Sequence, residues 1–380
     1  MINSDYFSWP NIPEKDIEKI SSILRSGGIY LKEDILIDFE KQLCKYFQVK
    51  HALLTCNGTS AAFSCFYAIG LKPGDEIIGS SFTHWATVLP AVQLGCKIVF
   101  ADMEADSFNI SVDDVLKKIT PSTRAIVVCH MYGNPANLRD IKKVCKRHNL
   151  FLIEDISHST GALFNGKPVG SFGNVSFFSM QSNKLISGNE GGVLLTNNPD
   201  FYTQAMLLGQ PKRLHHLSKK WKKFEEVSLG FKFRISPILA LLAFESFKRL
   251  DEQNSIRREM FLSFRDLIKN NNKIIFPKEH ACAKRVWWEY DLLLQCKKST
   301  IPKVINELNK IGIPADKNKF GFLPKLPQFN VKNYTSDDYL NSLKKIDKII
   351  VLAPFKKMGL KIIKKYANIV NRILENKDLE

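Results

Sequence analysis

The sequence contains no uninterrupted apolar run long enough to cross a membrane, although 44% of its 380 residues are hydrophobic. Its first residues carry neither the basic region nor the apolar region of a secretory signal peptide. We therefore expect a folded protein, long enough for two domains, that resides in the cytoplasm and is not inserted in a membrane.

Paired cysteine motifs are absent as well. None of the eight cysteines stands in a C-x-x-C arrangement, and most of them lie inside apolar segments. Because disulfide frameworks and zinc sites are usually recognised from such spacings, we expect reduced thiols that pack as small hydrophobic side chains. No metal site is predicted.

Two further signatures are missing. No G-x-G-x-x-G motif follows the first predicted strand, which argues against a dinucleotide-binding fold. The net charge is +17, with basic runs at 219–223 and 361–365, but no zinc-finger spacing or RNA-binding aromatic signature accompanies it. We interpret the lysines mainly as solvated surface residues that would also attract a phosphorylated substrate. A nucleic-acid-binding protein is an alternative suggested by charge alone, and we expect no nucleic-acid partner.

Apolar strands alternate with helical segments along the first 250 residues, which predicts the α/β class. Because each strand is almost continuously apolar, we expect a mainly parallel sheet that is covered by helices on both faces. A smaller domain is predicted after it, so that the domains are residues 1–249 (an N-terminal arm and a large domain) and 250–380. The predicted strands lie at 51–55, 76–79, 96–102, 125–130, 151–155, 177–179, 193–195 and 286–294, and the predicted helices at 11–27, 36–47, 59–70, 140–148, 237–249, 250–270, 303–311 and 361–376.

One lysine stands in a polar turn at the end of an apolar strand. The stretch 177–192 runs from Phe177-Phe178 through a turn that contains Lys184 to the pair Gly191-Gly192. A lysine in a cleft becomes a nucleophile when desolvation or a neighbouring cation lowers its pKa, and its usual product is a Schiff base with a carbonyl. A loop lysine that pairs with Glu190 is the alternative.

A second apolar strand ends in an acidic residue that lies 29 positions before Lys184. This strand, 151–155, ends at Asp155, and His158 follows three residues later. Since open α/β sheets bind ligands at the carboxyl ends of their strands, Asp155 and Lys184 can face the same crevice. A carboxylate for a ring nitrogen and a lysine for an aldehyde are what pyridoxal phosphate (PLP) requires.

A third motif, Asn57-Gly58-Thr59-Ser60, is a turn that opens a helix. Free backbone amides, hydroxyl groups and the positive end of the helix dipole together suit an anion. The same residues also suit an ordinary helix N-cap, so this motif alone decides nothing.

Taken in order, these motifs resemble the DegT/StrS family of PLP-dependent sugar aminotransferases, over about residues 29–250. The resemblance implies an aspartate-aminotransferase-like PLP fold of type I, in which helices sandwich a mainly parallel mixed sheet and a smaller C-terminal α/β domain follows. The residues that carry it are Ile153-Glu154-Asp155, His158, Gly161-Ala162, Gly170-Ser171-Phe172-Gly173, Phe178-Ser179-Met180-Gln181, Lys184, Gly188 and Glu190-Gly191-Gly192.

The resemblance also implies a role for each candidate residue. Lys184 would hold PLP covalently and move protons as base and acid, while Asp155 would pair with the ring nitrogen and His158 would lie near the ring oxygen. The remaining roles are phosphate binding by Gly58, Thr59, Ser60 and Ser179, stacking on the ring by Trp85, and a phosphate contact by Lys232.

Lys232 belongs to a segment, 228–237, that resembles the family's loop into the neighbouring subunit. Many family members have asparagine at this position, and lysine would act there as a point charge rather than as an amide donor. The resemblance therefore implies a homodimer with shared active sites.

The implied reaction is a ping-pong transamination with pyridoxamine phosphate as the alternate cofactor form. The donor would be glutamate or glutamine, and the acceptor a keto-sugar, most often linked to a nucleotide, in amino-sugar biosynthesis for a surface polysaccharide or a secondary metabolite. One alternative is a keto-cyclitol or another non-nucleotide acceptor. Another class is a catalytically idle regulatory or binding protein, which the joint presence of Lys184, Asp155 and the phosphate motif argues against. Some members of the family are dehydratases that use pyridoxamine phosphate and lack the anchoring lysine, so the presence of Lys184 argues against that activity.

Overall fold

The computed structural model describes residues 12–26, 34–211, 213–214, 219–224, 227–329, 331–332 and 334–376. The predicted break at Gly27-Gly28 lies outside these residues, and the basic stretch 210–226 is described only in part. The helices of the described chain are α1 (Glu14–Arg25), α2 (Asp34–Phe47), α3 (Gly58–Ala68), α4 (Leu89–Val92), α5 (Val112–Lys118), α6 (Leu138–His148), α7 (Pro199–Gly209), α8 (Pro237–Phe247), α9 (Leu250–Ile268), α10 (Ile301–Lys310), α11 (Leu340–Lys345) and α12 (Leu360–Glu375).

Seven strands form the central sheet, in the order β1-β9-β8-β5-β4-β2-β3. β9 runs antiparallel to both of its neighbours, and the other pairs are parallel. The predicted mixed, mainly parallel sheet is confirmed. The strands of the described chain are β1 (His51–Thr55), β2 (Glu76–Ser80), β3 (Lys97–Ala101), β4 (Thr123–Cys129), β5 (Phe151–Asp155), β6 (Leu163–Phe164), β7 (Lys167–Pro168), β8 (Val175–Ser179), β9 (Gly192–Thr196), β10 (Ile274–Ile275), β11 (Ala283–Lys284), β12 (Tyr290–Leu294), β13 (Ala315–Lys317) and β14 (Ile349–Leu352).

The helices that pack on this sheet follow from local sequence signals. In α6 the side chains of Leu138, Ile141 and Val144 are buried at helical spacing, while the opposite face is basic. The helix ends at Asn149, whose φ of 53° is the left-handed conformation that asparagine tolerates, and the chain then turns directly into β5. The strand that ends in Glu154 and Asp155, β5, is thereby brought to the middle of the sheet.

The second half of the chain forms its own four-stranded antiparallel sheet, β10-β12-β14-β13. Its apolar core extends from Met260 to Leu374 and includes faces of α9, α10 and α12. The predicted strand 286–294 is shorter than expected, because Val286 donates its amide hydrogen to Gly133 of the other half and only Tyr290–Leu294 pairs in the sheet. The domain division at 249/250 stays a prediction.

The end of β8 and the start of α3 meet at a glycine. A Cβ at Gly58 would lie 2.7 Å from the Cβ of Ser179, so no larger residue fits there without a shift. A Cβ at Gly192 would lie 2.2 Å from the carbonyl oxygen of Asn57, the residue that caps α3. These close approaches place the first turn of α3 beside the strand ends.

Three predicted absences can be compared with the described residues. All eight cysteines are free thiols. Within the ranges given above, no three His, Cys, Asp or Glu side chains are grouped so that they could hold a metal ion. Among the described residues, no helix combines the length and apolarity that crossing a membrane would need.

Candidate active site

A cavity of about 450 Å³ opens at the carboxyl ends of β5 and β8. It contains seven of the nine residues proposed from the sequence, and Ser60 and Lys232 do not line it. The seven are Gly58, Thr59, Trp85, Asp155, His158, Ser179 and Lys184.

The carboxylate of Asp155 is held from two sides. Its Oδ2 accepts a hydrogen bond of 2.7 Å from the Thr87 hydroxyl, and its Oδ1 accepts one of 2.9 Å from the Ser157 amide. The side chain is 4% exposed, yet the residue lines the cavity. Asp155 therefore presents a fixed negative charge to whatever the cavity binds, as a protonated ring nitrogen requires.

Lys184 reaches the same cavity from the loop after β8. It is 9% exposed, and its Nζ lies 4.2 Å from the centroid of the Trp288 ring. Burial lowers the pKa of Lys184 to about 8, although the charge of Asp155 acts in the opposite direction. Desolvation thus outweighs attraction, and a substantial fraction of this amine is neutral near physiological pH.

This lowered pKa predicts the pH dependence of Lys184 in the cofactor-free protein. We expect acylation of Lys184 by an amine-reactive reagent, followed by peptide mass spectrometry, to rise with a midpoint near pH 8. Lys303, an exposed lysine of α10, is labelled in the same experiment as the reference. Because the unfolded lysine binds its proton up to about pH 10.5, stability should increase as pH rises between these two values. A Lys184 midpoint above pH 10 would contradict the geometry.

His158 lies against the same tryptophan. Its ring stacks on that of Trp288 with centroids 4.1 Å apart and an interplanar angle of 7°. Burial, aided by the charge of Lys184, lowers the pKa of His158 well below its usual value, so the imidazole is neutral. Its Nδ1 is buried and has no hydrogen-bond partner among the described residues. A bound group with a hydroxyl oxygen would satisfy that atom.

The first turn of α3 forms the anion cradle that the sequence predicts. Asn57 caps the helix by accepting from the amide of Ser60 at 2.8 Å, and its carbonyl accepts from that of Ala61. The amides of Gly58 and Thr59 find no acceptor among the described residues and line the cavity. Amides free at a helix N-terminus are a binding site for phosphate.

Three of the predicted roles are not tested by the contacts within one chain. The amide of Ser60 is used by the cap, and its hydroxyl lies 3.2 Å from the Cys56 sulfur, so it is turned from the cavity lining. Trp85, 44% exposed, stands at the mouth of the cavity. Lys232 is exposed and lies outside the cavity of its own chain. The roles of all three stay predictions.

Several residues that shape the site were not expected from the sequence. Thr87 follows the Trp85 motif by two residues, so its place beside Asp155 could have been suspected. Trp288 belongs to the second half of the chain and donates a hydrogen bond of 2.6 Å from Nε1 to the carbonyl of Asn183 in the first half. Because the two residues are 105 positions apart, this contact could not be inferred from the sequence. The other lining residues to which the sequence assigned no role include His84, Ala86, Ser157, Lys319 and Phe320.

The residues present fit pyridoxal phosphate. The orphan Nδ1 of His158, the free amides of α3, the charge of Asp155 and the amine of Lys184 each match one chemical feature of this group: its ring hydroxyl, phosphate, ring nitrogen and aldehyde, respectively. The hydroxyl of Ser179 lines the cavity beside Gly58 and would join the phosphate contacts.

Comparisons with known proteins agree with this geometry. Residues 10–371 match the sequence model of the DegT/DnrJ/EryC1/StrS aminotransferase family. GDP-perosamine synthase of Caulobacter vibrioides is 32% identical over 286 residues, which cover 74% of this chain and 75% of that protein. L-glutamine:2-deoxy-scyllo-inosose aminotransferase of Streptomyces kanamyceticus is 31% identical over 270 residues, which cover 66% and 61%.

The same fold is found in solved structures. A proposed sugar aminotransferase of Streptococcus pneumoniae, solved in its PMP form, superposes with a TM-score of 0.84 at 21% identity, over 97% of this chain and 98% of that one. This likeness shows the fold, and the family match extends over nearly the whole sequence. The chain belongs to the DegT/DnrJ/EryC1/StrS aminotransferase family and is a PLP-dependent aminotransferase.

Proposed function

We propose that this aminotransferase moves an amino group from glutamate or glutamine to a keto-sugar that is carried on a nucleotide. The observation that carries the proposal is the cavity in which Lys184, Asp155 and the free amides of α3 face one another. Similarity to GDP-perosamine synthase supports a nucleotide-linked sugar as acceptor, and the net charge of +17 suits a substrate with phosphate groups.

The cofactor, when bound, supplies an electron sink for the carbon that loses its proton. The protein's own residues then do the rest. Lys184, with a pKa lowered to about 8, accepts a proton at Nζ near neutral pH and returns it to an adjacent atom. Asp155, fixed by Thr87 and Ser157, would hold the ring nitrogen and supply a negative charge beside it. Trp288 covers Lys184 and keeps water from its amine.

A keto-cyclitol is the second candidate acceptor, and it is favoured by the similarity to the inosose aminotransferase. It is smaller and carries no phosphate, so it would not use the basic charge of the protein.

The deciding experiment presents the pyridoxamine-loaded protein with a panel of nucleotide-linked keto-sugars and keto-cyclitols. Loss of the pyridoxamine absorbance and return of the visible PLP band identify the acceptor. We expect turnover with at least one keto-sugar nucleotide. Turnover with cyclitols alone would overturn the nucleotide proposal. Failure of both glutamate and glutamine to convert the PLP form into the pyridoxamine form would overturn the choice of donors.

We also propose that the active protein is a homodimer. Phe231 and Lys232 are exposed on a loop that lies outside the cavity of its own chain, and Phe231 packs against Phe63 and Phe233. A second copy would cover this aromatic surface and receive Lys232. Sedimentation should therefore give twice the mass of 43.4 kDa. A fully active monomer would contradict the proposal.

A further inference from the structure

A second, larger depression lies next to the cofactor cavity. Its volume is about 1,040 Å³, and its walls come from α10, from β13 and the loop after it, and from α11 (we call it the distal groove). Residues of α10 that line it include Ile301, Ile305 and Asn306, and residues of α11 include Leu343. Proton transfer at Lys184 does not require this groove.

Two residues, Lys319 and Phe320, line both the distal groove and the cofactor cavity. Phe320 is buried and packs in the aromatic cluster of the active site, with its ring 5.2 Å from that of His158. The two spaces are thus neighbours across one short wall. A substrate whose reacting group enters the cavity can extend past Lys319 into the groove.

Lys319 is the charged residue at this junction. Its Nζ lies 2.9 Å from Glu289 Oε1, and its side chain is 48% exposed. An ammonium has three N–H donors, of which Glu289 uses one, so an additional anion can bind without displacing that partner.

The groove combines positive charge with apolar surface. Lys317 and Lys325 are exposed along it, and Lys298, which is paired with Asp347 at 2.5 Å, stands at its far end. Between them lies apolar surface of α10, α11 and Phe322. A phosphate group at the junction would contact the positive charge, and a flat nucleobase farther along the groove would pack on the apolar surface.

We propose that Lys319 binds the diphosphate of the acceptor and that the distal groove holds its nucleoside. The proposal rests on the proposed function, because it assigns a place to the nucleotide of the keto-sugar. It makes Lys319 the residue that separates a nucleotide-linked acceptor from a free sugar or cyclitol, whereas the amino-acid donor is too short to reach the groove.

The test measures binding of GDP, UDP and dTDP to the cofactor-loaded protein by calorimetry, so that no chemistry is required. We expect at least one of them to bind, and Lys319→Ala to weaken that binding about tenfold or more while Lys319→Arg weakens it less. Lys303→Ala, a charge change on an exposed part of α10 outside the groove, should have no effect.

A second variant tests the groove itself. Asn306 is exposed on α10 and lines the groove, so Asn306→Trp should fill the space and weaken nucleotide binding at least tenfold. Lys303→Trp places the same bulk on the helix outside the groove and serves as its control. Both tryptophan variants should leave the half-reaction with the amino-acid donor unchanged, since neither position lines the cofactor cavity.

Several results would overturn the inference. They are no binding of any of the three nucleotides to the unaltered protein, equal affinity for inorganic pyrophosphate and for the nucleotide, or unchanged nucleotide affinity in Lys319→Ala or Asn306→Trp. If Lys319→Ala slows the donor half-reaction as much as it weakens nucleotide binding, the lysine serves the donor carboxylate instead. If nucleotides bind through Lys319 but no keto-sugar nucleotide is aminated, the proposed function is wrong, whereas the assignment of Lys319 and the distal groove to nucleotide binding is retained.

Discussion

Lys184→Met is expected to lower turnover by roughly 10⁴-fold and, in the cofactor-free protein, to raise the free energy of unfolding. The loss of turnover follows because the amine both attaches the cofactor and transfers the proton, and proton transfer alone is typically worth 10²- to 10⁴-fold. Methionine keeps most of the side-chain volume under Trp288, so the packing next to the ring is retained.

The gain in stability follows from the same desolvation that activates the lysine. A buried lysine with a pKa of about 8, against about 10.5 when unfolded, costs roughly 3 kcal/mol of stability at neutral pH. Methionine carries no charge and removes that cost, apart from small changes in packing. Functional sites commonly show this exchange of stability for activity.

Denaturant unfolding at pH 7 and at pH 10 measures the effect. The difference between the variant and the unaltered protein should shrink at pH 10, where the lysine is neutral in the folded state. Lys167→Met, at the exposed first position of β7, is the matched control and should change neither stability nor turnover. A variant with its visible cofactor band intact, or one that is destabilised at pH 7, would contradict this account of Lys184.

The position of this lysine could be predicted from the sequence because strand ends obey a simple rule. Asp155 ends one parallel strand and Lys184 follows the next, so both had to reach the carboxyl edge of the sheet. The cradle at Gly58 could be predicted in the same way, since a polar turn before a helix fixes where free amides point. Local signals were sufficient for these groups.

Trp288 and Lys319 could not be predicted, because what places them is tertiary packing. Both belong to the second half of the chain, more than 100 residues after Lys184, and they meet the cavity only when that half docks on the first. Nothing in the run of residues 286–289 distinguishes a tryptophan of the active site from one of the core. Trp287, its neighbour, is in fact a core residue.

In the fold, too, local features could be predicted from the sequence and long-range features could not. Strand and helix positions in the sheet region agree with the apolar runs to within a few residues, because burial on both faces imposes that pattern. The direction of β9 could not be derived from Val193-Leu194-Leu195, because an apolar run does not encode its pairing partner. The same holds for β1, the first strand in sequence, which lies at the edge beside β9.

Asp155→Asn is expected to lower kcat by about 10²- to 10³-fold while the fold is preserved. An amide has the shape of the carboxylate, can accept from the Ser157 amide and can donate to Thr87, so the hydrogen bonds around position 155 survive. What is lost is the negative charge in a water-poor site, where it stabilises the protonated ring nitrogen far more strongly than it would in bulk water.

This substitution also has a readout that does not depend on turnover. The charge of Asp155 raises the pKa of Lys184 against the effect of burial, so its removal should move the labelling midpoint of Lys184 from about pH 8 to a lower value. Asp113→Asn, on the exposed start of α5, is the control and should leave the midpoint unchanged. A midpoint that stays the same or rises in Asp155→Asn would place the two charges too far apart to cooperate. A lower midpoint together with reduced kcat would locate both effects in one electrostatic pair, because a merely structural role for Asp155 would not shift the titration of Lys184 in that direction.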